Sequence, residues 1–146
     1  MKRSIMVARL NSRMLPLFLL LLVAVAGCSE TQRKETPLSP AKPVYDRTDI
    51  DLGIVYIEDG EKVLEYHVRN EGDKYFWIID ANSGCECTRA EFSTQEVKKG
   101  ESTTIKVFLN PAKIDPGSFE RDLNVFTNLS NDPQTLYIHG VAKHKK

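Results

Sequence analysis

Two cysteines, Cys85 and Cys87, stand one residue apart in Ser83-Gly84-Cys85-Glu86-Cys87-Thr88, and a third, Cys28, lies far upstream. On a β-strand, a spacing of two puts both thiols of the pair on one face. Their Cα atoms would lie about 6.6 Å apart, near the upper limit for a disulfide, so bridging needs a bent chain, which Gly84 allows. Three chemistries fit the pair. Reduced thiols bind a soft metal such as Cu(I). A C-x-C disulfide exchanges with other thiols. A structural staple at a corner is the third, and an oxidising compartment favours oxidation of paired thiols. A zinc site of the usual kind wants four ligands, typically from two separated pairs, and this chain has only one such pair.

Other chemistry-bearing residues are more scattered. His67 and His139 fall on the polar faces of expected strands, and His144 lies in the C-terminal tail, so each reads as a solvated surface group. Asp49, Asp51, Glu58 and Asp59 sit near expected strand ends and turns and read as surface charge. The chain carries no G-x-S-x-G, no H-E-x-x-H and no glycine-rich phosphate loop. The expectation is a protein that is not an enzyme and that holds no cofactor, with copper at Cys85 and Cys87 as the one alternative. Tyr75 and Trp77 share the face opposite Phe76, which makes them a candidate binding patch or rim packing. Asn128-Leu129-Ser130 fits a glycosylation sequon.

The elements that must position these residues are strands. From Val44 onward, short runs of β-branched and aromatic residues alternate with polar ones, separated by turn residues. Strands are predicted near 44–51, 53–58, 62–70, 74–80, 86–92, 102–110, 118–127 and 134–142. Turns are predicted at Glu58-Asp59-Gly60, Asn70-Glu71-Gly72-Asp73, Lys98-Lys99-Gly100, Asp115-Pro116-Gly117 and Asn131-Asp132-Pro133. Pro111 should end a strand, since it cannot donate to a ladder. No window shows a helical period. Seven or eight short strands in about 100 residues predict an all-β fold, an immunoglobulin-like antiparallel β-sandwich over 44–146. Period 2 predicts the inward set: Leu64, Tyr66 and Val68; Phe76 and Ile78; Ile105, Val107 and Leu109; Phe119, Leu123 and Val125, with Phe126 near a bulge; Leu136 and Ile138. A dozen such side chains, at roughly 1.5–3 kcal/mol each on burial, give enough driving force for a small domain without a disulfide scaffold.

The first 27 residues differ from the rest. They carry Lys2, Arg3, Arg9 and Arg13 and no acidic residue, then an apolar run from Leu15 to Ala26 broken only by Pro16. A basic start, a short apolar centre and a small-residue end make an export signal. The run is too short to span a bilayer, which needs about 20 apolar residues. The long basic stretch leaves Met1, Met6 and Met14 as candidate starts. Val25-Ala26-Gly27-Cys28 resembles the lipobox of bacterial lipoproteins, in which the Cys sulfur takes a diacylglyceryl group and the chain is cut before it. Cys28 is therefore the expected lipidation site, residues 1–27 the expected signal peptide, and 28–43, with Pro37, Pro40 and Pro43, a disordered tether. The mature chain would keep 16 Lys and Arg against 20 Asp and Glu, a net charge of −4 that argues against nucleic-acid binding. The basic tail of Lys143, Lys145 and Lys146 reads as a solvated terminus.

Residues 50–142 resemble the family named domain of unknown function 1573, common in exported bacterial proteins and lipoproteins. Ile50-Asp51-Leu52-Gly53-Ile54-Val55 is similar to the family's opening F-x-F-G-x-V. Asn70-Glu71-Gly72 followed by Phe76-x-Ile78 resembles its N-x-G then L-x-I, and Gly84-Cys85-Glu86-Cys87-Thr88 its S-C-G-C-T. Lys99-Gly100-Glu101 stands where P-G-E is usual. Gly117-Ser118-Phe119 with Thr127-Asn128, and Leu136-x-Ile138-x-Gly140, match its closing strands. Glu86 replaces the usual Gly, which questions any turn that needs positive φ there and puts a carboxylate between two thiols. The resemblance implies a fold similar to the immunoglobulin-like domains of ciliary and centrosomal proteins, and it implies no activity.

The function expected from the sequence is a lipid-anchored envelope protein whose β-sandwich binds or scaffolds another envelope protein or a glycan, through a sheet face or an edge strand. The rivals are copper or thiol chemistry at Cys85 and Cys87, and a glycan-binding lipoprotein. Ser29 after the Cys is not the Asp that retains many lipoproteins at the inner membrane, which favours the outer membrane.

Overall fold

The computed structural model describes residues 39–146, so the expected signal peptide, Cys28 and most of the expected tether lie outside the described residues. Eight strands form: β1 (Pro43–Tyr45), β2 (Asp49–Tyr56), β3 (Lys62–Asn70), β4 (Ile78–Asn82), β5 (Thr88–Glu91), β6 (Ser102–Leu109), β7 (Gly117–Thr127) and β8 (Ser130–Lys143). They make two four-stranded sheets, ordered β1-β3-β6-β5 and β2-β8-β7-β4. The expected β-sandwich is the observed one. Every pairing is antiparallel except β2 with β8, which run parallel from Asp49↔Tyr137 to Tyr56↔Lys143.

The two sheets close over one apolar layer. Tyr66, Val68, Ile105, Val107 and Leu109 from the first sheet, with Ile78, Leu123, Val125, Leu136 and Ile138 from the second, are fully or almost fully buried. These residues lie at every second position of their strands, because successive side chains of a strand point to opposite faces. The Tyr66 hydroxyl crosses between the sheets and donates to the Tyr137 carbonyl at 2.8 Å, and burial pushes its pKa up. Phe76 is buried as expected, although it pairs with Val97 as an isolated bridge outside the named strands.

Some expected boundaries move. The run 44–51 is not one strand. It is cut after Tyr45, because β1 belongs to the first sheet and β2 to the second. Residues 74–77 precede β4, and β5 is shorter than 86–92 because Cys85–Cys87 form a turn that closes with the Thr88 amide donating to the Cys85 carbonyl. Asn131-Asp132-Pro133 is no turn. The hairpin turns at Asn128 and Leu129, and 131–133 lie in β8 opposite a register shift between Val125 and Thr127. Such a bulge tolerates a proline that cannot donate to the ladder. Pro111 does end β6, opening a short 3-10 turn, Pro111–Lys113, that Asn110 caps.

The expected tether boundary also moves. Ser39 donates through both its amide and its hydroxyl to Asp73, the Lys42 amide donates to Asn70 Oδ1, and Pro43 begins β1. The domain therefore holds the chain from Ser39, four residues before the expected end of the tether.

All four sheet edges are blunted. β1 and β5 have three and four residues. Along β2, a bulge with Gly53 at φ 59 interrupts the ladder, and the Gly53 amide is taken by Asp51 Oδ1 at 2.8 Å. On β4, Asp80 Oδ1 accepts from the Ala81 amide at 2.8 Å, and a bulge separates Ile78 from Asp80. Short strands, bulges and edge carboxylates discourage the addition of a further strand.

Candidate functional site

The C-x-C segment lies where the chain leaves one sheet for the other. β4 ends at Asn82 in the second sheet, and β5 starts at Thr88 in the first. Between them, Ser83 Oγ accepts from the Cys85 amide at 3.4 Å, and the Cys87 carbonyl accepts from the Asn110 amide at 2.8 Å. The turn brings the two Cα atoms to 5.1 Å, and Cys85 and Cys87 are joined as a disulfide. Among the described residues no non-glycine residue has positive φ, so Glu86 fits this turn without the conformation that a glycine there would permit.

The two sulfurs have different surroundings. Cys87 is 2 % exposed, whereas Cys85 is only half-buried. Arg121 Nε donates to Cys87 Sγ at 3.1 Å, Thr88 Oγ1 lies 3.5 Å from the same sulfur, and Cys85 Sγ accepts from the Cys87 amide at 3.1 Å. Lys113 Nζ donates to the Glu86 carbonyl at 3.3 Å. The Glu86 side chain is 97 % exposed and turned to solvent. The charged group that touches sulfur is the guanidinium of Arg121.

Sequence reasoning did not single out Arg121. The available signal was its register, since it occupies an inward position of β7 between Phe119 and Leu123. Among the described residues no group of three or more His, Cys, Asp or Glu side chains is placed to hold a metal ion. A guanidinium against Cys87 also raises the electrostatic cost of any cation bound there.

The disulfide is a weak staple. It closes a loop of three residues, for which the chain-entropy relation gives only about 1.6 kcal/mol. It joins two ends of one turn and links no two strands. Replacing both by Ala, C85A/C87A, is expected to lower unfolding stability by about 1–2 kcal/mol in a denaturant titration. A loss above about 3 kcal/mol would restore the staple reading.

A second surface stands apart from this turn. Among the described residues seven large apolar side chains are exposed, and six of them (Ile54, Tyr56, Tyr75, Ile79, Leu129 and Tyr137) lie on the second sheet or the segments that adjoin it. Only Val63 belongs to the first sheet, whose outer face carries the Lys106–Glu65 and Arg89–Glu91 pairs. Tyr75 and Trp77 do stand together, stacked with ring centroids 6.0 Å apart at 23°. Trp77 is held by Asn128, whose Oδ1 accepts from the Trp77 amide at 2.9 Å and whose amide donates back to the Trp77 carbonyl at 3.2 Å.

The remaining candidates are surface pairs. His139 bonds Asp49 at 2.9 Å, and that hydrogen bond raises its pKa; Asp51 stands 3.6 Å from its other ring nitrogen. His67 contacts Thr104 Oγ1 at 3.0 Å and is exposed. Glu58 is drawn down to about 2 by its hydrogen bond from His144, and Asp59 to about 2 by that from Lys62.

Several solved structures share this fold. A protein of unknown function from Porphyromonas gingivalis W83 matches with a TM-score of 0.62 at 15% identity over 76% of this chain and 51% of that one. The ASH / PapD-like domain of human CEP192 (PapD-like domain 7) matches with a TM-score of 0.58 at 9% identity, covering 100% of this chain and 99% of that domain. The Vibrio cholerae VesB protease matches with a TM-score of 0.51 at 13% identity, over 68% of this chain but only 31% of the protease. This chain thus spans about half the length of the first and about a third of the last. At such identities the likeness is one of fold. By sequence, no curated protein matches the chain. The sequence model of one family, described as Protein of unknown function (DUF1573), matches residues 43–142, and the chain belongs to that family.

Proposed function

We propose that this chain is a lipid-anchored protein of the bacterial envelope, held by Cys28, whose β-sandwich is a non-enzymatic module that binds another envelope protein. The observation that carries the reading is the asymmetry of the two outer faces. Both sheets turn charged pairs to solvent, but among the described residues the first exposes Val63 alone of its large apolar side chains, while the second exposes Ile54, Tyr56, Ile79 and Tyr137. Exposed large apolar side chains that favour one sheet of a domain point to an interaction surface there. The blunted edges turn the choice from strand addition to face binding. Branched aliphatics such as Ile54 and Ile79, each 57 % exposed, suit an apolar protein surface better than a sugar ring, which stacks on flat aromatics. The Tyr75–Trp77 pair is the place where a glycan would stack instead.

The test is a photo-crosslinking amino acid placed in the full-length protein in cells. Positions 79 and 137 are expected to give one discrete protein adduct, and positions 65 and 106 on the opposite sheet none. Equal labelling from both sheets, or adducts that vanish on glycan digestion, would refute the reading. The anchor is tested separately: intact mass should place the mature N-terminus at an acylated Cys28, and Cys28→Ser should move the protein out of the membrane fraction. Persistence of residues 1–27 would overturn it.

A further inference from the structure

We infer that the Cys85–Cys87 disulfide is a thiol-exchange site that accepts electrons from a dithiol, with Cys85 as the sulfur attacked and Cys87 as the leaving sulfur held by Arg121. The inference is independent of the binding face described above.

It begins from an anomaly of register. Phe119, Leu123 and Val125 point inward from β7 and are buried, and Arg121 shares their period. Arg121 itself is half-buried, its guanidinium stands over the Phe119 ring at 5.9 Å, and among the described residues no carboxylate pairs with it. The hydrogen bonds of Arg121 run instead to Cys87 Sγ at 3.1 Å and to the Glu120 carbonyl at 2.7 Å. A disulfide sulfur is neutral and a weak acceptor, so the charge is poorly matched while the bridge is closed. A thiolate at Cys87 would match it, with Thr88 Oγ1 within reach as a second donor. A cation beside a cysteine lowers its pKa, and stabilising the reduced form makes a disulfide a stronger oxidant.

Access sets the direction of attack. Cys87 is closed off at 2 % exposure, whereas Cys85 is only half-buried and is the more accessible of the two. A substrate thiolate attacks Cys85 Sγ and forms a new S–S bond with it. The Cys85–Cys87 bond breaks, and its electron pair leaves on Cys87 Sγ, against Arg121. The substrate's second thiol gives its proton to water and attacks the sulfur of the first, which releases Cys85. The substrate ends as a disulfide and the pair as two thiols once protonated, so two electrons and two protons have moved. The donor is named by class: a small-molecule dithiol or the paired cysteines of an exported protein.

The full-length protein is equilibrated with glutathione buffers, its thiols trapped by alkylation and counted by intact mass. Cys28 is unchanged in all variants. Arg121→Gln is expected to shift the equilibrium at least tenfold toward the disulfide, about 30 mV for a two-electron couple, and Arg121→Lys to recover most of that shift. A change of less than twofold in Arg121→Gln overturns the inference. A second measurement keeps Arg121 in place. In Cys85→Ala, alkylation of Cys87 against pH is expected to show a midpoint below the ordinary thiol value of about 8.5. A midpoint at or above that value overturns it. For the donor class, reduction by dithiothreitol but not by a reduced exported protein with paired cysteines assigns the site to small dithiols, and reduction by both assigns it to protein dithiols. Reduction by neither overturns it.

Discussion

Replacing Asn70 by alanine is expected to cost about 3–4 kcal/mol of folding stability, and to lower the melting temperature by about 15–25 °C for a domain of this size. Asn70 is fully buried at the end of β3, and its side chain is used at every position. Its Nδ2 donates to the Lys74 carbonyl at 2.7 Å and to the Val97 carbonyl at 2.9 Å. Its Oδ1 accepts from the Lys42 amide at 3.1 Å and from the Gly72 amide at 2.9 Å. One amide group thus satisfies main-chain atoms of three separate segments, which a turn without regular pairing would otherwise leave unmatched. Alanine strands the Lys42 and Gly72 amides and the Lys74 carbonyl, while the Val97 carbonyl keeps the Phe76 amide at 3.3 Å. An unmatched buried group costs about 1–3 kcal/mol, and water reaches some of these sites, so the sum falls below three full penalties. Asn70→Asp is the sharper variant, because it keeps the shape and the acceptor oxygen but turns a second oxygen toward two carbonyl oxygens. It should lose at least as much at neutral pH. Denaturant unfolding of the two variants checks this, and a loss under about 1 kcal/mol in both would show that the corner is not held by this side chain.

The same corner shows what the amino-acid sequence discloses and what it withholds. The N-x-G run was legible as a turn, but the partners of Asn70 were not, since Lys42 and Val97 lie 28 and 27 positions away. The inward faces of β3, β6, β7 and β8 were legible because period 2 is local. Which sheet each strand joins is not local. Asp46-Arg47-Thr48 contains neither glycine nor proline, yet the chain changes sheets there. The parallel partner of β2 is a strand more than 80 residues away, and no alternation pattern encodes its direction. Asn131-Asp132-Pro133 misled for the opposite reason: its turn chemistry is real, but the ladder absorbs it as a bulge. The site divides the same way. The C-x-C spacing was visible and left three chemistries open. Arg121, which touches the Cys87 sulfur, was visible only as a charge at an inward position of its strand.

Replacing Gly72 by alanine is expected to cost about 2–3 kcal/mol, and to loosen the chain where it enters the domain. A Cβ at this position would meet the Pro40 carbonyl oxygen, the Lys42 nitrogen at 2.5 Å and the Ala41 carbonyl carbon at 2.7 Å. All three are main-chain atoms, so no side-chain rotation relieves the clash, and overpacking of this kind costs about 1–3 kcal/mol or more. The segment 39–42 must lift away. With it go the Ser39 contacts to Asp73, the Lys42 amide to Asn70, and the Glu71 amide to the Lys42 carbonyl at 2.9 Å. Gly72 is therefore fixed by close approach rather than by an unusual φ, in contrast to Gly53 at φ 59. This separates it from Asn70→Ala, which weakens the corner without filling it. Hydrogen exchange should show the amides of Lys42 and Glu71 losing protection in Gly72→Ala, while those of β6 and β7 change only by the global loss of stability. Unchanged protection at Lys42 and Glu71 would mean that the segment repacks around the methyl group. If Cys28 carries the lipid, any pull along the chain reaches the domain at this corner, and Gly72→Ala lengthens the free leash by the residues it releases.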